Sequence, residues 1–291
     1  MPACRLCGKI TLISFAIQAA NIAIGICKGI FEWPNIHHTL PGYSRGTVIY
    51  IYVAGKANTM AKYVITYDIG TTGIKTCLIE IDESMKILAS STAGYNLYVD
   101  DETGVKGGAE QDADEWWEAM CTTTKTVLSK TPHITKEMIE GISFCSAMQG
   151  LVLVDKEGNC IRRPMTYMDQ RAREELKKGI AHGVQVAGAE VTKLLKYLRY
   201  TGAVSSSVKD PIWKYKWVEA HEPENFKKIY KWLDIKEYLI LRASGEFVMT
   251  QDSAFGTLLY DTRKGHEGWC NPVCKMVGVN IEHMPTIKKL S

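Results

Sequence analysis

Tyr67-Asp68-Ile69-Gly70-Thr71-Thr72-Gly73-Ile74-Lys75 lies between two apolar, β-branched runs, Tyr63-Val64-Ile65 and Cys77-Leu78-Ile79 with Ile81. Two strands joined by so short a Gly/Thr turn leave the backbone few options. Glycine lets main-chain N–H groups approach and point at an anion, the Thr71 and Thr72 hydroxyls add donors, and Lys75 adds positive charge. An acid such as Asp68 at the start of the turn meets phosphate through a Mg²⁺ ion, because like charges repel. A plain β-hairpin whose turn favours Gly and Thr fits the same residues. The rest of the chain has to choose between these readings.

Charge excludes one class of partner. The net charge is +3, with five Lys/Arg against Glu32 in residues 1–59, so the remainder is close to neutral. No basic face for nucleic acid follows. Nine irregularly spaced cysteines fit reduced thiols in the cytoplasm better than a disulfide framework. Cys4 and Cys7 form a lone C-x-x-C with no second cysteine pair, which argues against zinc, and Cys270 and Cys274 at i,i+4 spacing read as packing residues. The uncharged run 10–27 barely reaches the length of a membrane span and contains Ser14, Gln18 and Asn21. A membrane association is therefore not expected. Residues 1–59 read as an N-terminal extension without chemistry, and Met60-Ala61-Lys62 resembles a natural start just ahead of the first strand.

From Met60 onward the pattern is regular. Strands are expected over 63–67, 76–81 and 87–92, then a helix from Asp112 to about Lys130 with Trp116, Met120, Thr124 and Val127 on one face. Strands follow at 139–144 and 151–154, helices at 169–179, 190–200, 211–221 and 225–242, and a strand at 247–251. Trp213 and Trp217, at i,i+4, read as core, since no basic track runs beside them. Alternating strands and helices indicate an α/β layered domain.

Seven blocks, taken together, resemble the N-terminal domain of the FGGY-family carbohydrate kinases, and within that family the xylulokinases. They are Asp68-Ile69-Gly70-Thr71-Thr72 with Lys75; Gly108-Ala109-Glu110-Gln111-Asp112 with Trp116-Trp117; Ile142-Ser143 through Ala147-Met148-Gln149-Gly150-Leu151; Tyr167-Met168-Asp169-Gln170-Arg171-Ala172; Lys214 with Trp217 and His221-Glu222-Pro223-Glu224; Leu233 and Tyr238 through Ser244-Gly245-Glu246-Phe247; and Asp252-Ser253-Ala254 through Thr257-Leu258-Leu259-Tyr260-Asp261. The resemblance covers residues 60–291. Actins and heat-shock chaperone ATPases share the opening turn but not the later blocks. Neither G-x-x-x-x-G-K-[ST] nor G-x-G-x-x-G after the first strand is present.

The resemblance implies an actin-like, ribonuclease-H-like ATPase fold and transfer of the ATP γ-phosphoryl to a sugar hydroxyl, D-xylulose foremost. It places Asp68, Gly70, Thr71, Thr72 and Lys75 at the phosphates, with Asp68 toward Mg²⁺. It gives the general base to Asp252, although many members carry that acid about two residues earlier, where this chain has Thr250. The sugar would meet Met148 and Gln149, where xylulokinases usually have Met-His, and Gln still donates and accepts hydrogen bonds. Glu110 and Asp169 are either sugar-side residues or members of a buried salt bridge or cap. The family's second domain, which completes the ATP site, is expected to be missing from these 291 residues, so turnover by this chain alone should be poor. A small-molecule sugar is the implied partner, and a homodimer is allowed.

Overall fold

The computed structural model describes residues 10–16, 48–54, 63–82, 84–180, 182–186 and 188–288. It divides into two compact units, one comprising residues up to Tyr95 with Asp114–Ala147, the other Asn96–Ala113 with Met148–Lys288.

The first unit is built on a six-stranded sheet. Its strands are β1 (Ile10–Ala16), β2 (Val48–Ala54), β3 (Tyr63–Ile69), β4 (Gly73–Glu80), β5 (Ile87–Gly94) and β6 (Ile139–Ser146), in the order β1-β2-β6-β3-β4-β5. Strands β3, β4 and β5 form the expected antiparallel meander, and β6 returns parallel to β3. Parallel return needs a crossover, supplied by helix α1 (Ala113–Ser129). Trp116 and Val127 on that helix are fully buried, and Met120 nearly so, which is the apolar face read from the sequence. Two hydroxyl pairs tie strands to helix, Thr76 to Thr123 at 2.7 Å and Tyr67 to Thr124 at 2.8 Å. The expected extension 1–59 falls largely outside the described residues. Its described parts, β1 and β2, continue the sheet beyond β6. Among the described residues no helix is long and apolar enough to cross a membrane.

The second unit is helical around short strand pairs. Strand β7 (Val152–Val154) pairs antiparallel with β8 (Lys231–Leu233), and β9 (Val248–Thr250) pairs parallel with β10 (Thr286–Lys288). Helices α2 (Arg173–Gly179), α3 (Val191–Tyr200), α4 (Pro211–His221), α5 (Ile235–Ser244) and α6 (Gln251–Gly256) complete its frame. Trp213, Tyr215 and Trp232 are fully buried in one core with Leu153 and Val218, so the tryptophan stripe is core as expected. The single helix expected over 225–242 is replaced by strand β8 and then α5. Trp232 and Leu233 pair with Leu153 and Val152, so a long-range sheet contact overrides local periodicity, and Asp234 caps the new helix by accepting from the Ile235 N–H at 2.8 Å. The helix expected from Asp169 begins only at Arg173, because the Asp169 carboxylate accepts from the Arg171 backbone N–H two residues on.

Candidate active site

In the first unit the turn after β3 is held from behind by Tyr95. Its phenol donates to Gly70 O at 2.5 Å, with Gly73 O at 3.1 Å, and its N–H donates to Thr72 O at 3.2 Å. Gly73 is required by close approach, since a Cβ there would lie 2.6 Å from Ala93 O. Asp68 and Lys75 stand directly opposite each other across the β3–β4 pair, both exposed, with Asp68 also beside Cys145 on β6. The surrounding chain, crowding one side of an exposed group, pushes the Asp68 carboxyl above its ordinary value; a hydrogen bond from Cys145 and the charge of Lys75 oppose this. The five residues that the resemblance assigns to phosphate thus share one hairpin, Asp68 on β3, Lys75 on β4 and Gly70, Thr71 and Thr72 in the turn between them. A single exposed carboxylate beside Thr hydroxyls suits Mg²⁺, a hard cation that keeps several waters and leans on substrate phosphates. Among the described residues no group of three or more His, Cys, Asp or Glu could hold a metal unaided.

In the second unit the chain enters β7 through Met148-Gln149-Gly150. Gln149 has φ +67°, a left-handed conformation that is costly for any residue with a Cβ. Both of its backbone groups are pinned. The Gln149 N–H donates to Asp234 Oδ2 at 2.9 Å, the Gly150 N–H to Asp234 Oδ1 at 3.0 Å, and Lys214 Nζ donates to Gln149 O at 2.8 Å. Residue 150 must be glycine, because a Cβ would sit 2.6 Å from Asp234 Oδ1. Lys214 is fully buried and gives its second hydrogen bond to Thr166 O at 2.7 Å. Burial pulls its ammonium down to about 8, against the attraction of Asp169, Asp234 and Asp210. Strain held this firmly makes Gln149 a candidate position for function.

Asp252 lies in the first turn of α6, whose N-cap is Thr250, so Asp252 is not a cap. Its Oδ2 accepts from Lys236 Nζ at 2.5 Å, while its Oδ1 is buried without a hydrogen-bond partner. Burial pushes its carboxyl up to about 7, opposed by backbone N–H groups of Ser253 and Asp252 itself. Lys236 also faces Glu237 Oε1 at 3.8 Å, and that oxygen accepts from the Thr250 hydroxyl at 2.8 Å. Thr250, at the position where many relatives carry an acid, is therefore buried and engaged with Glu237. The Met148 methyl reaches α6, 2.8 Å from where a Cβ on Gly256 would be. Met148 therefore packs against α6, the helix that carries Asp252.

Glu110 and Asp169 sit in an ion-pair network, Asp169 also within electrostatic range of Lys214. Arg171 bonds Asp169 at 2.9 Å and Glu110 at 2.7 Å, and Arg162 joins Glu110 at 2.6 Å to Glu222 at 3.0 Å. Asp169 also accepts from the Ala109 N–H at 2.8 Å. This is the buried salt-bridge alternative left open for both residues, with the Arg171 guanidinium over the Trp217 ring at 4.8 Å. Sequence reasoning missed Asp210, Asp234, Lys236 and Glu237. The turn-like Asp210-Pro211 preceding an apolar run was the available signal for the first; the other three were absorbed into a helix that does not exist as one element.

The meander, its parallel return strand and the Gly/Thr turn between β3 and β4 define an actin-like, ribonuclease-H-like ATPase fold. Solved structures agree: a xylulose kinase from Brucella ovis superposes with a TM-score of 0.65 at 24% identity, covering 78% of this chain and 43% of that one. A gluconate kinase from Lactobacillus acidophilus superposes at 0.64 with 25% identity, covering 79% and 42%. The chain belongs to the FGGY family of carbohydrate kinases, whose N-terminal-domain model matches residues 63–291. Curated relatives include a xylulose kinase from Staphylococcus xylosus, 28% identical over 228 residues, and a gluconokinase from Bacillus subtilis, 27% identical over 227. The matches cover 77% of this chain but 42% and 40% of those relatives.

Proposed function

We propose that this chain provides the sugar-binding and first phosphate-binding elements of an ATP-dependent sugar kinase, with D-xylulose converted to D-xylulose 5-phosphate. The observation that carries the reading is Asp252: one carboxylate oxygen is fixed by Lys236 and the other is buried without a partner. A carboxylate held on one oxygen by Lys236, its other oxygen without a donor of its own and its pKa near neutral, is suited to receive a hydroxyl proton. The sugar oxygen attacks the γ-phosphorus, its proton passes to Asp252 Oδ1, the bond to the ADP oxygen breaks, and the proton later leaves to water. Met148 and Gln149 orient the sugar. Asp68, Gly70, Thr71, Thr72 and Lys75 receive the phosphates, and a Mg²⁺ held at Asp68 would neutralise charge on them. The xylulose kinase and gluconokinase relatives keep two substrate classes in play, a neutral ketose first and a sugar acid second.

A thermal-shift screen of the 291-residue chain with ketoses, polyols and gluconate tests the binding half, because a ligand that binds the folded state raises its melting temperature. Absence of a shift with every sugar would overturn the reading. For the chemical half, with the second kinase domain supplied, Asp252→Asn should abolish sugar-dependent ADP release and preserve the sugar-induced shift. Loss of both would remove Asp252 as the base.

A further inference from the structure

We propose that Asp210, acting through the Gln149 side-chain amide, makes this site select a neutral ketose or polyol over a sugar acid. The proposal rests on the reading of Gln149 as a sugar contact. With its N–H on Asp234 and its C=O on Lys214, the Gln149 backbone cannot rotate to re-aim the side chain. Among the described residues the amide has one hydrogen-bond partner: Nε2 donates to Asp210 Oδ1 at 3.4 Å. A carboxylate only accepts, so the NH₂ end must turn to Asp210 and the carbonyl Oε1 must be the end left for a ligand. Asp210 is itself fixed, its Oδ2 accepting from the Ser205 hydroxyl and the Ser207 N–H at 3.0 Å each, which leaves Oδ1 for Gln149.

The end presented to a substrate is thus an acceptor, which a sugar hydroxyl satisfies by donating. A substrate carboxylate has no proton to give it. Such a substrate would also enter a region where Asp210, Asp234, Glu237 and Asp252 stand near the buried ammonium groups of Lys214 and Lys236, with Lys209 within electrostatic range of Lys214. Lys214 is already committed to two backbone carbonyls and Lys236 to Asp252, so neither is available as a carboxylate clamp. Discrimination here acts by exclusion, through repulsion and unmet hydrogen bonds, which is how close analogues are rejected most effectively.

Dissociation constants for D-xylulose, D-arabitol and D-gluconate, measured by calorimetry on the 291-residue chain, test this. The wild type should bind a neutral sugar at least tenfold more tightly than gluconate. Asp210→Asn keeps the shape and can still accept from Ser207 N–H, but lets the Gln149 amide turn over; it should shrink that ratio at least fivefold, mainly by improving gluconate. Gln149→Met keeps length without the amide, and should weaken the neutral sugar and bring the ratio toward one. If no sugar of any kind binds, the site reading itself fails. If sugars bind but gluconate rivals xylulose in the wild type, or both variants leave the ratio where it was, the site reading stands and the role of Asp210 is wrong.

Discussion

Replacing Lys214 with Met should change how stability depends on pH by a calculable amount. The ammonium is fully buried and its pKa is lowered to about 8, while an unfolded chain keeps it at the ordinary 10.5. Between those values the unfolded state binds more protons, so stability rises with pH across that window. The penalty is fully present below about 8 and gone above 10.5. Each pH unit of the interval is worth about 1.4 kcal/mol, which makes the full penalty roughly 3 kcal/mol, of which about 2 kcal/mol is lifted between pH 7.5 and 9.5. Deprotonation sacrifices no contact, because a neutral amine still has two N–H donors for the two carbonyls of Gln149 and Thr166. Methionine has similar length and cannot titrate. Urea unfolding followed by fluorescence of the buried Trp213 and Trp232, at pH 7.5, 8.5 and 9.5, should therefore show wild type gaining about 2 kcal/mol on Lys214→Met. Parallel curves, or wild type losing ground as pH rises, would refute the claim that a desolvated charge holds the Gln149 loop. The sugar-induced melting shift should be smaller in the variant at every pH, since Gln149 O loses its anchor.

Three other outcomes follow from the geometry. Gly73→Ala puts a Cβ 2.6 Å from Ala93 O, which backbone must relieve, so the first unit should lose about 1–3 kcal/mol in urea unfolding and protection of the β4–β5 amides should fall. Asp234→Asn removes one oxygen of the fork that accepts from Gln149, Gly150 and Ile235; chemical denaturation should register a loss of about 1–3 kcal/mol, and calorimetry a weaker sugar. Asp252 must be ionised to accept the hydroxyl proton and its pKa is raised by burial to about 7, so with the second kinase domain supplied ADP release with sugar should rise as pH increases through about 7 and level off above it. A profile flat from pH 6 to 8 would remove Asp252 as the base.

Where local rules agree with one another, the sequence is a good guide. The meander was expected at 63–67, 76–81 and 87–92, and lies at Tyr63–Ile69, Gly73–Glu80 and Ile87–Gly94, because alternation and turn chemistry point the same way. Helix α4 begins at Pro211 and ends at His221 as expected, with Pro at a position where its missing N–H costs nothing. The misread stretch, 225–242, was decided by a partner strand elsewhere in the chain, and no local periodicity encodes that. The partners of Glu110 are as distant: Arg162 and Arg171 stand 52 and 61 positions away.

The proposed sugar side of the site was harder to see for a related reason. Each of its defining features breaks a local preference. A glutamine occupies a left-handed position that glycine would fill at no steric cost, a lysine is buried without a carboxylate in hydrogen-bond contact, and an aspartate oxygen is buried without a donor. Propensity arguments cannot anticipate such choices, because they describe what a residue does when nothing else constrains it. Each is tolerated here through a constraint supplied from elsewhere: Asp234 and Lys214 for Gln149, two loop carbonyls for Lys214, and Lys236 for Asp252. Gln149→Gly separates the two requirements. Relief of the left-handed strain, about 1–2 kcal/mol, is partly offset by the extra freedom of glycine in the unfolded chain, about 0.5–1 kcal/mol. The variant should then match or exceed wild type in urea unfolding while its sugar-induced melting shift disappears. A variant that binds sugar as well as wild type would mean that the strained glutamine serves the fold and not the substrate.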